Sequence, residues 1–161
     1  MNKIENKEAQ YNLLVKQIKN IIHKEPNFMA NLCNIVSLLK QSFNFFWVGA
    51  YFVEGKDLVL GPFQGPPACT RIPKGKGVCG KSWKENASFL VPDVNSFPGH
   101  ISCNANSKSE IVVPVKTKEN KVFMVLDIDS DKLGDLDKKD LFYLEKVATI
   151  LQEIYPKNAQ Y

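Results

Sequence analysis

The chain has 161 residues, 44% hydrophobic and 24% charged, with nine glycines and nine prolines, a composition that fits a folded globular domain and excludes disordered, collagenous and low-complexity classes. That length suits one domain with a core and is short for two joined by a linker, so a single domain over residues 1–161 is expected. The net charge of +4 comes from 21 basic and 17 acidic residues, yet Arg71 is the only arginine and the lysines are scattered among acids, which excludes the arginine-rich face of a nucleic-acid reader.

The N-terminal stretch MNKIENKEAQ lacks the apolar run of a secretion signal. No apolar run downstream approaches the roughly 20 residues that cross a bilayer, so a cytoplasmic chain without a membrane partner is expected. Leu14, Ile18, Ile21 and Ile22 recur at helical spacing and predict a first amphipathic helix. Pro26 suits the first turn of a second, whose apolar stripe is Phe28, Leu32, Ile35, Val36 and Leu39. Cys33, inside that pattern, reads as core filler, because free cysteine is among the most buried residue types. The period then changes to two. FFWVGAYFVE and DLVLGPF, joined by Glu54-Gly55-Lys56, read as a β-hairpin. Residues 61–109 are a long excursion marked by Gly and Pro, with a short helix near Gly77 to Lys84; excursions of this size usually serve as functional loops or lids. IVVPVKT and KVFMVLDID, separated by Lys118-Glu119-Asn120, read as a second hairpin. A last helix carries Leu141, Leu144, Ala148 and Leu151, with Asp137 and Asp140 near its start, where the helix dipole favours negative charge. The expected class is α+β, an antiparallel sheet with helices at both ends of the chain.

Alternation along the strands sorts residues by face. In KVFMVLDID, Val122, Met124, Leu126 and Ile128 form one apolar face, while Asp127 and Asp129 point together to the other. Ile111, Val113 and Val115 make the apolar face of the paired segment, and Glu110 has the opposite parity. In the first hairpin Phe46, Val48, Ala50 and Phe52 alternate with Trp47, Gly49 and Tyr51, so two aromatics flank a glycine. If these faces converge beneath the excursion, they form a cup with aromatic walls, a glycine floor and three acids. Such a cup suits a small ligand carrying a positive charge, since carboxylates pair with ammonium groups and aromatic faces attract cations. Periodicity alone leaves the alternative that the aspartates cap a strand end and the aromatics are ordinary core.

Cys69, Cys79 and Cys103 lie in the segments PPACTRIP, GKGVCGKS and FPGHISCN. Structural disulfides are not expected in the cytosol, which leaves metal ligation or redox chemistry for such loop thiols. A zinc site from Cys69, Cys79, His100 and Cys103 has suitable ligand types, but spacings of ten, twenty-one and three residues contain no CxxC pair; no metal is expected.

The strings GPFQGPPACTRIPKGKGVCG, VPDVNSFPGHISCNANSKSEIVVPV and VLDIDS closely resemble the free methionine-R-sulfoxide reductase family, a branch of the GAF-domain proteins. The resemblance runs from about Trp47 to the last helix. It implies a GAF fold, an antiparallel sheet backed by terminal helices with ligand-binding loops on its other face. The implied activity is reduction of free L-methionine (R)-S-oxide to L-methionine, without a cofactor, thioredoxin being the external reductant and a homodimer the expected assembly. Matched residue by residue, the resemblance makes Cys103 the nucleophile and Cys69 the thiol that forms a disulfide with it. Cys79 becomes a third motif cysteine with a resolving or relay role. The family's substrate-binding acids fall on Glu110, Asp127 and Asp129, and its aromatic pocket on Trp47 and Tyr51, which strand parity places on one face independently of any family. Glu110 or one of the aspartates is expected to donate a proton to the departing oxygen, and His100, if protonated, to help ionise Cys103. Asn95 stands where family members often have histidine. A GAF fold also admits a different reading, a non-catalytic module that binds a small molecule or senses redox state.

Overall fold

The helices begin where side chains can cap them. In the computed structural model, which describes residues 3–156, helix α1 spans Lys3–Ile22 and α2 spans Phe28–Phe43. Asn27 is the cap of α2, its side chain accepting the Ala30 N–H at 2.9 Å, so Pro26 lies just outside the helix rather than in its first turn. The last helix, α4 (Lys138–Ile154), opens on a capping box in which the Asp137 and Asp140 side chains each accept a backbone N–H of the other residue. Asp140 has a second task that helical spacing does not announce. Fully buried, it accepts the Tyr11 hydroxyl at 2.8 Å and the Lys7 ammonium at 2.6 Å, tying α1 to α4.

Six strands follow the expected change of period: β1 (Trp47–Glu54), β2 (Asp57–Gln64), β3 (Arg71–Pro73), β4 (Phe89–Val91), β5 (Ser109–Lys116) and β6 (Val122–Ser130). Helix α3 (Gly77–Glu85) lies between β3 and β4, where the short helix is expected. The two hairpins form as β1/β2 and β5/β6 and join through antiparallel pairing of β1 with β6, giving the order β3-β2-β1-β6-β5-β4. The excursion begins after Gln64 rather than at Gly61, and it contributes both short edge strands.

The sheet has two apolar faces. Val48, Ala50, Ile111, Val113, Met124, Leu126 and Ile128 pack against Leu14 and Ile18 of α1, Leu32 and Ile35 of α2, and Leu144 and Leu151 of α4. Trp47, Tyr51, Val112 and Val125 face the other way, against Val78, Cys79 and Trp83 of α3. Three sequence expectations are corrected. Cys33 is exposed, because it sits about 100° around α2 from Leu32, off the buried stripe. Phe46 precedes β1 and packs with the α3 side. Val122 also joins the α3 side, since a register shift between Val115 and Lys116 interrupts the alternation at that end of β6.

Candidate active site

Strand register assembles the acids. Glu110 of β5 stands opposite Asp129 of β6, and Asp129 stands opposite Trp47 of β1. One step along, Val112, Asp127 and Gly49 form the next row. Directly opposed residues of antiparallel strands share a face, so Glu110, Asp127, Asp129, Trp47 and Tyr51 meet on the side away from the terminal helices. Gly49 is the floor for a steric reason. A β-carbon there would overlap the Trp47 ring and come within 2.7 Å of Phe63 Cβ, so only glycine lets the indole lie over the strand. The ring stacks on Tyr51 and Phe63 at centroid distances of 5.9 and 5.6 Å, and its N–H donates to the Pro66 carbonyl at 3.1 Å.

Helix α3 closes one wall. Gly77 opens it with a left-handed φ of 59°, and its N–H donates to the Gly99 carbonyl at 3.1 Å, binding the helix start to the segment that leads to Cys103. In the first turn Cys79 is buried and its thiol donates to Glu110 Oε1 at 3.9 Å. Asp129 accepts the Ser107 hydroxyl. One donor atom from each of Cys79, Glu110 and Asp127 lies within 4.8 Å of the others, a spacing that admits a cation. Asp127 Oδ1 is buried without a hydrogen-bond partner among the described residues.

Cys69 and Cys103 are joined in a disulfide with Cα atoms 5.1 Å apart, linking the segment after β2 to the one before β5. The cavity beneath it is lined by Trp47, Tyr51, Cys79, His100, Cys103, Glu110, Asp127 and Asp129, among others. The resemblance-based site residues are thus brought together, Cys69 through its bond to Cys103. The four-residue zinc set is not assembled: two of its cysteines are bonded to each other, and Cys79 is turned into the acids.

The electrostatics follow from burial. Desolvation, reinforced by the Asp127 and Asp129 charges, pushes the Glu110 carboxyl well above its ordinary range. Asp127 is pushed well up for the same reasons, and burial brings Asp129 to about 6 although the Ser107 hydrogen bond opposes it. The Cys79 thiol and the Tyr51 phenol are raised by burial and then by the neighbouring acids. His100 moves the other way. Burial lowers its pKa, which works against the expectation that a protonated His100 helps to ionise Cys103; its Nδ1 is buried without a partner among the described residues. Ser107, Phe46 and Phe63 also shape the cup and were not legible. Ser107 lies in a turn without period, and the bonding of Trp47 to Pro66 and its stacking on Phe63 depend on how β2 curls back over β1.

The sequence model of the GAF domain family matches residues 25–154. Over 146 residues the chain is 51% identical to GAF domain-containing protein A of Dictyostelium discoideum, covering 90% of this chain and 92% of that protein. It is 40% identical over 150 residues to the free methionine-R-sulfoxide reductase of Escherichia coli, covering 92% of this chain and 90% of that protein. The X-ray structure of free methionine-R-sulfoxide reductase from Neisseria meningitidis in complex with its substrate aligns with a TM-score of 0.87 at 44% identity, over 89% of this chain and 87% of that one. The chain belongs to the GAF-domain family and, within it, to the free methionine-R-sulfoxide reductases.

Proposed function

We propose that the chain reduces free L-methionine (R)-S-oxide to L-methionine, with Cys103 as nucleophile and Cys69 as the thiol that resolves it. The observation that carries this reading is one cavity lined both by Cys103, which is bonded to Cys69, and by Asp127, whose buried Oδ1 has no partner among the described residues. A substrate ammonium supplies that partner and offsets the repulsion among Glu110, Asp127 and Asp129. Inside a peptide the α-amino group is a neutral amide, so the acids would lose their counter-charge; this selects the free amino acid. Trp47 and Tyr51 form the apolar wall for the methyl-sulfur end.

In this chemistry the Cys103 thiolate attacks the sulfoxide sulfur, and a proton from the buried acids passes to the oxygen. The oxygen leaves the substrate and bonds to Cys103, giving methionine and a sulfenic acid; two electrons move from the cysteine sulfur to the substrate sulfur. The Cys69 thiol displaces that oxygen as water and forms the disulfide. An external dithiol of the thioredoxin class returns both thiols by exchange, so no prosthetic group takes part. A homodimer is the expected assembly. Leu13 on α1 and Phe142 on α4 are exposed beside the Tyr143–Asn12 hydrogen bond that links those helices, and a partner would cover them.

Incubating the protein with racemic free methionine sulfoxide and dithiothreitol tests the reading. Half of the sulfoxide should become methionine, leaving the S epimer untouched. No methionine release would leave a sensor module, and consumption of both epimers would refute the stereochemical assignment.

A further inference from the structure

The thiol chemistry leaves Cys79 without a task. The residue sits in the first turn of α3 and is buried, with its Sγ directed at Glu110 Oε1 3.9 Å away. Glu110 of β5, Asp127 and Asp129 of β6 and Tyr51 of β1 surround it electrostatically, and His100 lines the same cavity. Burial and the negative charges of these neighbours disfavour the thiolate, so the S–H persists across the neutral range and the sulfur is a poor nucleophile. As a donor it has a clear recipient. Its hydrogen bond to Glu110 favours the ionised carboxylate, against the desolvation that raises it. A lysine in this place would neutralise the acids permanently and repel an ammonium. A thiol donates without bringing charge, so the cation must come from the ligand.

We propose that Cys79 is a positioning residue, an uncharged hydrogen-bond donor that holds the Glu110–Asp127 carboxyl pair ready for the substrate ammonium and takes no part in thiol–disulfide exchange. This role presupposes the free-sulfoxide reading of the site for its kinetic consequence, but not for its effect on the carboxyls. Cys79→Ala and Cys79→Ser separate it from a redox role, because serine keeps a donor and cannot form a disulfide.

Kinetics with free methionine sulfoxide should show KM raised roughly tenfold in Cys79→Ala at neutral pH, the loss of one hydrogen bond to a charged group, with a smaller effect on kcat. The acidic limb of the kcat/KM profile should move to higher pH, and Cys79→Ser should recover most of both changes. Mass mapping after turnover should find the Cys69–Cys103 disulfide in both variants. In ligand-free protein, the infrared band of protonated carboxyl should persist to higher pH in Cys79→Ala than in the wild type or Cys79→Ser. Equal loss in both variants together with failed disulfide formation would overturn the proposal, as would an unchanged KM and carboxyl band in Cys79→Ala. Should Cys79→Ala not fold, wild-type enzyme trapped during turnover decides: Cys79 must be recovered as a free thiol, and its recovery in a disulfide refutes the role. The infrared titration needs no substrate, so failure of the wild type to reduce free methionine sulfoxide would sink the substrate reading while leaving this one to its own result.

Discussion

Cys103 and Cys69 share a bond and differ in task, and single substitutions separate them. Serine at Cys103 removes the sulfur that must accept oxygen, so Cys103→Ser should abolish methionine formation even in a single turnover. Cys69→Ser should release one equivalent of methionine per protein and then stop under thioredoxin-driven cycling; quench-flow methionine counting distinguishes the two. Sustained cycling in Cys69→Ser would move the resolving role elsewhere. Identity was readable at this scale, environment was not. Composition and spacing leave Cys103, Cys69 and Cys79 equivalent; the resemblance pairs Cys69 with Cys103, as the structure does, and packing turns Cys79 into the acids. Cys33 shows the opposite error. Its apolar neighbours suggest burial, yet helical rotation places it on the exposed side of α2.

Among the elements, α3 matters to the site and α4 to stability, and two substitutions should show it. Gly80 follows Cys79, and a β-carbon there would overlap the Pro73 carbonyl oxygen and approach Gly75 N at 3.1 Å. Gly80→Ala must therefore displace α3, raising KM for the sulfoxide as well as lowering the melting temperature. Asp137→Ala removes the α4 cap on the other side of the sheet and should cost about 1 kcal/mol of stability while leaving KM unchanged. Denaturant melts alongside steady-state kinetics check both, and a KM change in Asp137→Ala alone would refute the division. The hairpins, α3 and the terminal helices were legible because each is a local period bounded by turn residues. The β1/β6 pairing was not, because no contiguous segment encodes which strand edges meet.

For the molecule as a whole, the acid cup is a stability cost kept for binding. A carboxyl whose folded pKa exceeds its unfolded value favours folding below the unfolded pKa, and that contribution is lost as pH rises through the folded one. For Asp129 the window runs from about 4, the unfolded value, to about 6 in the fold. Asp129→Asn should accordingly melt higher than the ligand-free wild type at pH 8, by about 3 °C or more, with the difference vanishing near pH 4. The same substitution should weaken capture of the free amino acid. Differential scanning calorimetry at the two pH values checks the sign, and a lower melting temperature for Asp129→Asn at pH 8 would contradict it. Lys7 and Asp137 do not disturb this window. Burial opposes both shifts, yet hydrogen bonds to Asp140 and then Asp137 raise Lys7 above 10.5, and those from Lys7 and the Asp140 and Lys139 backbone lower Asp137 below 3.8, outside the interval concerned.

The sequence by itself determined the class of the fold, the shared parity of Glu110, Asp127, Asp129, Trp47 and Tyr51, and three cysteines strung in family motifs, because period and residue identity are local properties of a chain. The tertiary structure decided the burial that lowers the His100 pKa, the exposure of Cys33, and the placement of a buried Cys79 against Glu110. Those outcomes depend on burial and on distances between residues far apart in the chain. A proton or a hydrogen bond responds to that surrounding field, which no local pattern of residues contains.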